Sequence, residues 1–259
     1  MNLKVFLQSL KVGRIGLVWY GIAALLAVSS GGLGQSAIQT QGAAMQDVMK
    51  SLPTAILEVF KINLSSFTTP IGYMCARSLS LIWPLVVIAF AAGSAGSISS
   101  MLERGTIHFE LSLPVSRITW FVSRILAGLT GLALVLLVTY FALQGFVAAG
   151  NWWRFAIFGL AFGILWLGVA YAVAAFARDR GAVTGVVFGL FALQFMLSTL
   201  AGVVSGAKWL ENINLWSAYT PETVVNNGVP WGTVAVWLAV GVFGFGVALW
   251  RWRTRDIPA

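Results

Sequence analysis

Apolar runs long enough to cross a bilayer recur along this chain, and no other feature restricts its fold so strongly. A helix needs about 20 apolar residues to span the hydrocarbon core, and it satisfies every backbone polar group internally where no water is at hand. Six such runs fit within the 259 residues and leave room for modest loops. The first covers Ile15 to Leu33, the second Leu79 to Ser97 and the third Ile118 to Ala148. The fourth ends at Phe176, the fifth near Val204 and the sixth near Trp250. Strands of a membrane barrel alternate apolar and polar residues, and these runs do not. Composition agrees, with 59% of residues hydrophobic and 9% charged, where a soluble domain carries about 25% charged residues. The expectation is an all-α polytopic membrane protein with six transmembrane helices in a single domain over residues 1–259.

Charge placement orients the spans, since cytoplasmic loops collect Lys and Arg. With both termini cytoplasmic, the inside holds Lys4, Lys11, Arg14, Arg104, Arg117, Arg124, Arg178, Arg180, Arg251, Arg253 and Arg255. The outside keeps Lys50, Lys61, Arg77, Arg154 and Lys208, while the acidic residues divide evenly. The net charge of +8 therefore reads as orientation and attraction to anionic lipid headgroups rather than as nucleic-acid binding. Leu3, Phe6 and Leu10 share one helical face among basic residues, which predicts an N-terminal interfacial helix before the first span. A signal peptide is the rival reading, but the apolar run is long and no Ala-x-Ala follows it. Cys75 is the sole cysteine, so an intrachain disulfide is excluded.

Two outer segments are expected, 34–77 and 205–231. In the first, Met45 to Phe60 carries apolar residues at helical spacing, which suits a cap on the outer ends of the spans better than a gate or vestibule. Gly181, Gly185 and Gly189 in the fifth span, and Gly159 with Gly163 in the fourth, form G-x-x-x-G steps. Close backbone approach drives helix association in lipid, and packing within the chain is expected for both sets ahead of a dimer face.

The densest mixture of charge, apolar residues and turn chemistry lies between Ala91 and Arg124. Small residues from Ala91 to Gly96 favour close packing at the inner end of the second span. Ser100-x-x-Glu103 has the form of a capping box, which predicts a short helix from Met101 to Ser112. Pro114 stops it, and Ser116 is placed to cap the third span. Ile107, Phe109, Leu111 and Leu113 alternate with His108, Glu110 and Ser112, which is strand periodicity. An isolated strand would leave its backbone unpaired, so the helix is preferred. In either form, apolar residues rimmed by charge make a cytoplasmic protein-docking element spanning 101–117.

Glu103-Arg104-Gly105-Thr106-Ile107, followed by Leu111-Ser112-Leu113-Pro114-Val115-Ser116-Arg117, resembles the ATP-binding-cassette type 2 permease family. Members of that family carry an acidic residue before Gly-Thr and then a leucine-rich run ending in Pro-x-Ser-Arg, between the second and third of six spans. His108 and Phe109 depart from the Glu or Leu more usual there. The resemblance implies the permease subunit of an exporter, resident in a prokaryotic inner (plasma) membrane. Two such chains, identical or related, would pair with two separately encoded P-loop ATPases that hold the ATP and Mg. It also implies that the segment is a coupling helix seated in a cleft of the ATPase. Glu103, Arg104, Gly105 and Thr106 would lie at the contact, and Ile107, His108, Phe109, Glu110 and Leu111 would form the insert. Pro114 and Arg117 would set the turn back into the third span.

What the chain lacks narrows the field further. No G-x-x-x-x-G-K-[ST] occurs, so nucleotide is not held here by a P-loop. One histidine and one cysteine disfavour a metal site or a Cys-His nucleophile, and no cofactor is expected in this chain. No carboxylate falls mid-span, where proton relays place them. An ATPase-independent secondary transporter or channel is the alternative, and a membrane-embedded enzyme a further one. Arg178-Asp179-Arg180 and the tail arginines read as snorkelling orientation charges.

Overall fold

The computed structural model describes residues 3–34, 69–107, 109 and 115–255, so the expected helix at Met45–Phe60 lies outside the described residues. Among these there is no β-strand, and six helices are long and apolar enough to cross a membrane. Helix α1 covers Leu3–Gly32, α2 Pro70–Met74 and α3 Ile82–Glu103. A π-helical turn, Cys75–Leu79, joins α2 towards α3. Helices α4 (Arg117–Phe146), α5 (Trp152–Phe176) and α6 (Arg180–Val203) follow as a hairpin series. Two short helices, α7 (Leu210–Ile213) and α8 (Pro221–Asn227), lead into α9 (Trp231–Thr254).

Several boundaries differ from the sequence expectation. The N-terminal interfacial helix is not a separate element, because α1 runs without a break for 30 residues. At about 1.5 Å per residue that exceeds a hydrocarbon core of about 30 Å, so the basic first turns extend beyond it. The entry to the second span also starts early, inside the stretch assigned to the outer segment. Thr69 caps α2 by accepting from the Gly72 amide at 3.0 Å, and Pro70 occupies the first turn, where its missing N–H costs nothing. Arg77 in the π-helical turn donates to the Ser30 carbonyl, tying this entry to the end of α1.

Helix α5 is the hub. It is apolar all round, and 61% of its spanning window is buried, against 17% in α1 and α6; an all-apolar helix belongs inside a bundle. Glycine decides how closely its neighbours come. A methyl built on Gly159 would sit 2.8 Å from the Trp83 ring, and one on Gly163 would meet the side chain of Leu132. Those two glycines thus serve packing within the chain, as expected. The tightest approach is one the sequence reading passed over. On α9, a methyl on Gly241 would lie 2.6 Å from the Ile164 carbonyl oxygen, and one on Gly244 2.6 Å from the Gly168 carbonyl. Here α5 and α9 touch backbone to backbone.

Gly185 and Gly189 on α6 contradict the same expectation, since among the described residues nothing lies within 4 Å of the space a side chain would take. They face outward from the bundle and serve no contact inside it. Elsewhere the bundle is tied by buried polar pairs. The Trp83 indole N–H donates to the Thr139 hydroxyl at 2.9 Å, linking α3 to α4, and that hydroxyl donates to the Val135 carbonyl.

Candidate functional site

Most of the described basic residues assemble at one end of the bundle, while Arg77, Arg154 and Lys208 lie in segments at the other. The starts of α1, α4 and α6 and the ends of α3, α5 and α9 meet at the basic end. Trp252 at the end of α9 stacks on Trp120 and Phe121 at the start of α4, with ring centroids 5.6 and 4.8 Å apart. Arg255 reaches across to the end of α5 and donates to the carbonyls of Ala174, Ala175 and Ala177. Those are C-terminal carbonyls without helical partners, so Arg255 caps α5. Burial, and then the neighbouring charges of Arg251 and Arg178, lower its pKa from the usual arginine value. Asp179 caps α6 by accepting from the Ala182 amide at 2.7 Å. Arg251 lies over the Phe176 ring at 5.5 Å.

The turn between α3 and α4 projects from this end. The capping-box reading of Ser100 and Glu103 is overturned, because both belong to the final turn of α3 rather than to the start of a new helix. The helix continues since Ile98 and Ser99 are still buried against the bundle, and tertiary packing outweighs a local start signal. It stops at Arg104, whose amide donates to the Ser100 carbonyl at 3.1 Å. Gly105 follows with φ of +67° and donates to Leu102 at 3.2 Å. That is a left-handed helix terminus, which a side chain resists and glycine does not. Thr106 completes it through its hydroxyl, 3.4 Å from the Met101 carbonyl.

Glu103, Arg104, Gly105 and Thr106 are therefore brought together as one exposed turn. Ile107, assigned to the apolar insert, is instead 1% exposed and packed in the chain's own core. Phe109 is 80% exposed. His108, Glu110, Leu111 and Pro114 lie outside the described residues. Ser116 caps α4 as expected, accepting from the Thr119 amide at 3.1 Å, and Arg117 is exposed beside it.

Residues supporting the turn from behind escaped the sequence reading of the contact. Arg124 is 6% exposed; its guanidinium lies over the Trp120 ring at 5.1 Å and donates to the Met101 sulfur at 3.3 Å. The Tyr171 hydroxyl donates to the Arg124 carbonyl at 2.9 Å. The i, i+4 spacing of Trp120 and Arg124 was the available signal. Among the described residues no three His, Cys, Asp or Glu side chains converge on a metal-sized site.

A family model described as "ABC-2 family transporter protein" matches residues 12–249, which is most of the chain and includes all six spans in whole or large part. Comparison with curated proteins finds no match.

Proposed function

The chain belongs to the ABC-2 transporter family and is a permease component of an ABC transporter; from that premise we propose that it is the membrane half of an exporter driven by a separate P-loop ATPase. Two ATPase copies supply ATP, Mg and closure, and a second permease chain, identical or related, completes the pathway. The end rich in arginine is cytoplasmic by the positive-inside rule. Both termini then lie inside, and the protein resides in the inner (plasma) membrane.

One observation carries the coupling reading: the Glu103–Thr106 turn is exposed while Ile107 directly after it is locked in the core. A partner gripping the turn therefore pulls on a rigid anchor rather than on a slack loop. Glu103 and Arg104 supply charge at the contact, and Phe109 supplies apolar surface of the kind that fills a partner's pocket. Displacement of the turn passes to α3 through its helical terminus and to α4 through the Ser116 cap. Helix α3 packs on α5 and α6, and α4 on α1 and α5, so motion at the turn reaches most of the bundle. The stack of Trp120 and Phe121 on Trp252 carries it to α9.

The test is purification of the tagged chain in mild detergent from its host membrane. A P-loop ATPase copurifies, and Glu103→Arg combined with Phe109→Asp releases it while the permease still elutes as a folded species. An ATPase retained by that double variant moves the contact off this turn. If no ATPase is found even after crosslinking in membranes, the chain is an ATPase-independent transporter or a channel.

A further inference from the structure

Behind the turn, α1, α3, α4, α5 and α6 border a cavity of about 400 Å³, within the range of about 300–1,000 Å³ in which small-molecule sites fall. Among the described residues, five hydroxyl groups line it: Ser9 and Tyr20 of α1, Ser94 and Ser97 of α3, and Tyr171 of α5. A hydroxyl has one proton to give and two lone pairs to offer, and each of these protons is already placed. Ser9 donates to the Val5 carbonyl at 2.7 Å, Ser97 to the Ser94 carbonyl at 2.7 Å and Tyr20 to the Ala89 carbonyl at 3.0 Å. Tyr171 donates to the Arg124 carbonyl at 2.9 Å, so in its 3.1 Å contact with Ser94 the serine is the donor. The hydroxyls therefore meet an occupant with lone pairs alone, as acceptors.

The charged groups at the cavity do not reverse that polarity. Arg124 is engaged with the Met101 sulfur and the Trp120 ring. Arg180 is exposed, with its stem lying across Gly96 of α3, where water and salt screen its charge. A cation would meet that guanidinium, and none of the described lining residues is an Asp or Glu to pair with it. An anion would bring further lone pairs to a wall of lone pairs. The occupant that fits is uncharged and donates.

Glycines and rings shape the rest of the wall. A methyl on Gly93 would press on the Tyr20 hydroxyl at 2.5 Å and one on Gly131 on the Phe90 ring at 2.8 Å, while those on Gly13 and Gly16 would meet no described residue within 4 Å. A second space meets this one at Leu17. It is a groove of about 320 Å³ between α1 and α4, whose described lining is apolar or glycine, among it Val18, Gly21, Leu25 and Val138. Val18, Leu25 and Val138 are exposed on the outside of the bundle. From Leu17 to Leu25 the groove follows α1 for about 12 Å, away from the basic end. Acceptors at one end and an apolar trough at the other match the two parts of an amphiphile with a donor head.

We propose that this paired space binds an uncharged amphiphile with a hydroxyl-bearing head, of the chemical class of a monoacylglycerol. Its O–H groups donate to the oxygens of Tyr20, Ser94 and Ser97, and its hydrocarbon chain lies along the α1–α4 groove. The inference goes beyond the coupling reading and stands without it, since a single chain forms the whole space and occupancy needs no ATPase.

The test is native mass spectrometry of the full chain in detergent, titrated with ligands that share one hydrocarbon chain and differ in the head: monoolein, methyl oleate, oleate and oleyl trimethylammonium. Monoolein carries hydroxyl donors and methyl oleate none. One monoolein per chain is expected to bind, about fivefold to tenfold more tightly than methyl oleate, the scale of one or two neutral hydrogen bonds, and more tightly than either ion. Ser94→Ala with Ser97→Ala removes that preference. Ser97→Ala alone, which gives up only a bond within its own helix, reduces it if the double variant does not fold. Gly21→Phe, whose ring enters the groove, weakens monoolein and methyl oleate alike and leaves their ratio unchanged. Methyl oleate binding as tightly as monoolein, or a preference that survives both serine variants, overturns the proposal. So does an undiminished affinity in Gly21→Phe, or tighter binding of oleate or of the ammonium, since charge would then select the ligand.

Discussion

The Tyr219 hydroxyl donates a hydrogen bond of 2.8 Å to the Leu79 carbonyl, joining residues 140 apart in the chain. Tyr219 lies between α7 and α8, stacked on Trp216 with centroids 5.0 Å apart, and Leu79 ends the π-helical turn that leads into α3. A π-helical turn shifts the hydrogen-bond ladder by one residue, and here a side chain from the far outer segment meets one of its carbonyls. Burial, and to a lesser degree the nearby Cys75, pushes the Tyr219 pKa well above the usual phenol value, so the donor proton persists through the physiological range.

Tyr219→Phe is therefore expected to leave the ring stacked and a buried carbonyl short of its donor, at a cost of about 1–3 kcal/mol. The melting temperature in detergent falls for this variant at every pH between 6 and 9, and falls further for Tyr219→Leu, which also loses the ring. An unchanged melting temperature for Tyr219→Phe would falsify the hydroxyl's role as a tie.

Glycines in α9 and α6 look alike in sequence and should respond oppositely. Gly241→Ala drives a methyl into the Ile164 carbonyl, and overpacking of that kind costs about 1–3 kcal/mol. Gly185→Ala enters open space and should change stability by less than about 0.5 kcal/mol. Thermal unfolding of the two variants side by side decides the matter. A loss at Gly185 as large as at Gly241 would show that α6 packs against another chain.

Gly105→Ala is expected to strain the end of α3 by about 1–2 kcal/mol, since φ of +67° is left-handed and no described residue crowds the site. Gly105→Asn, which tolerates that region better, should retain more of the native turn. Limited proteolysis between Arg104 and Phe109 reads the outcome: faster cleavage for the alanine variant, and a rate closer to wild type for asparagine. Equal rates for all three proteins would mean that the turn does not depend on the glycine.

The sequence by itself determined the six spans, the excess of basic residues at one end and the Ser116 cap. Each depends on apolar length, on Lys and Arg at the ends of spans, or on a hydroxyl three residues from an amide. Those signals are local, and hydrocarbon enforces them strongly because it satisfies no backbone group. Only the tertiary structure decided which face of each helix turns inward. Lipid is as apolar as the protein interior, so a spanning helix carries little amphipathic pattern to read, and Gly241 could not be told from Gly185. For the same reason the capping signal at Ser100 misled: buried neighbours at Ile98 and Ser99 carried α3 onward to Glu103. The inward turn of Ile107 and the contact of Arg124 with Met101 were set likewise, by packing between helices.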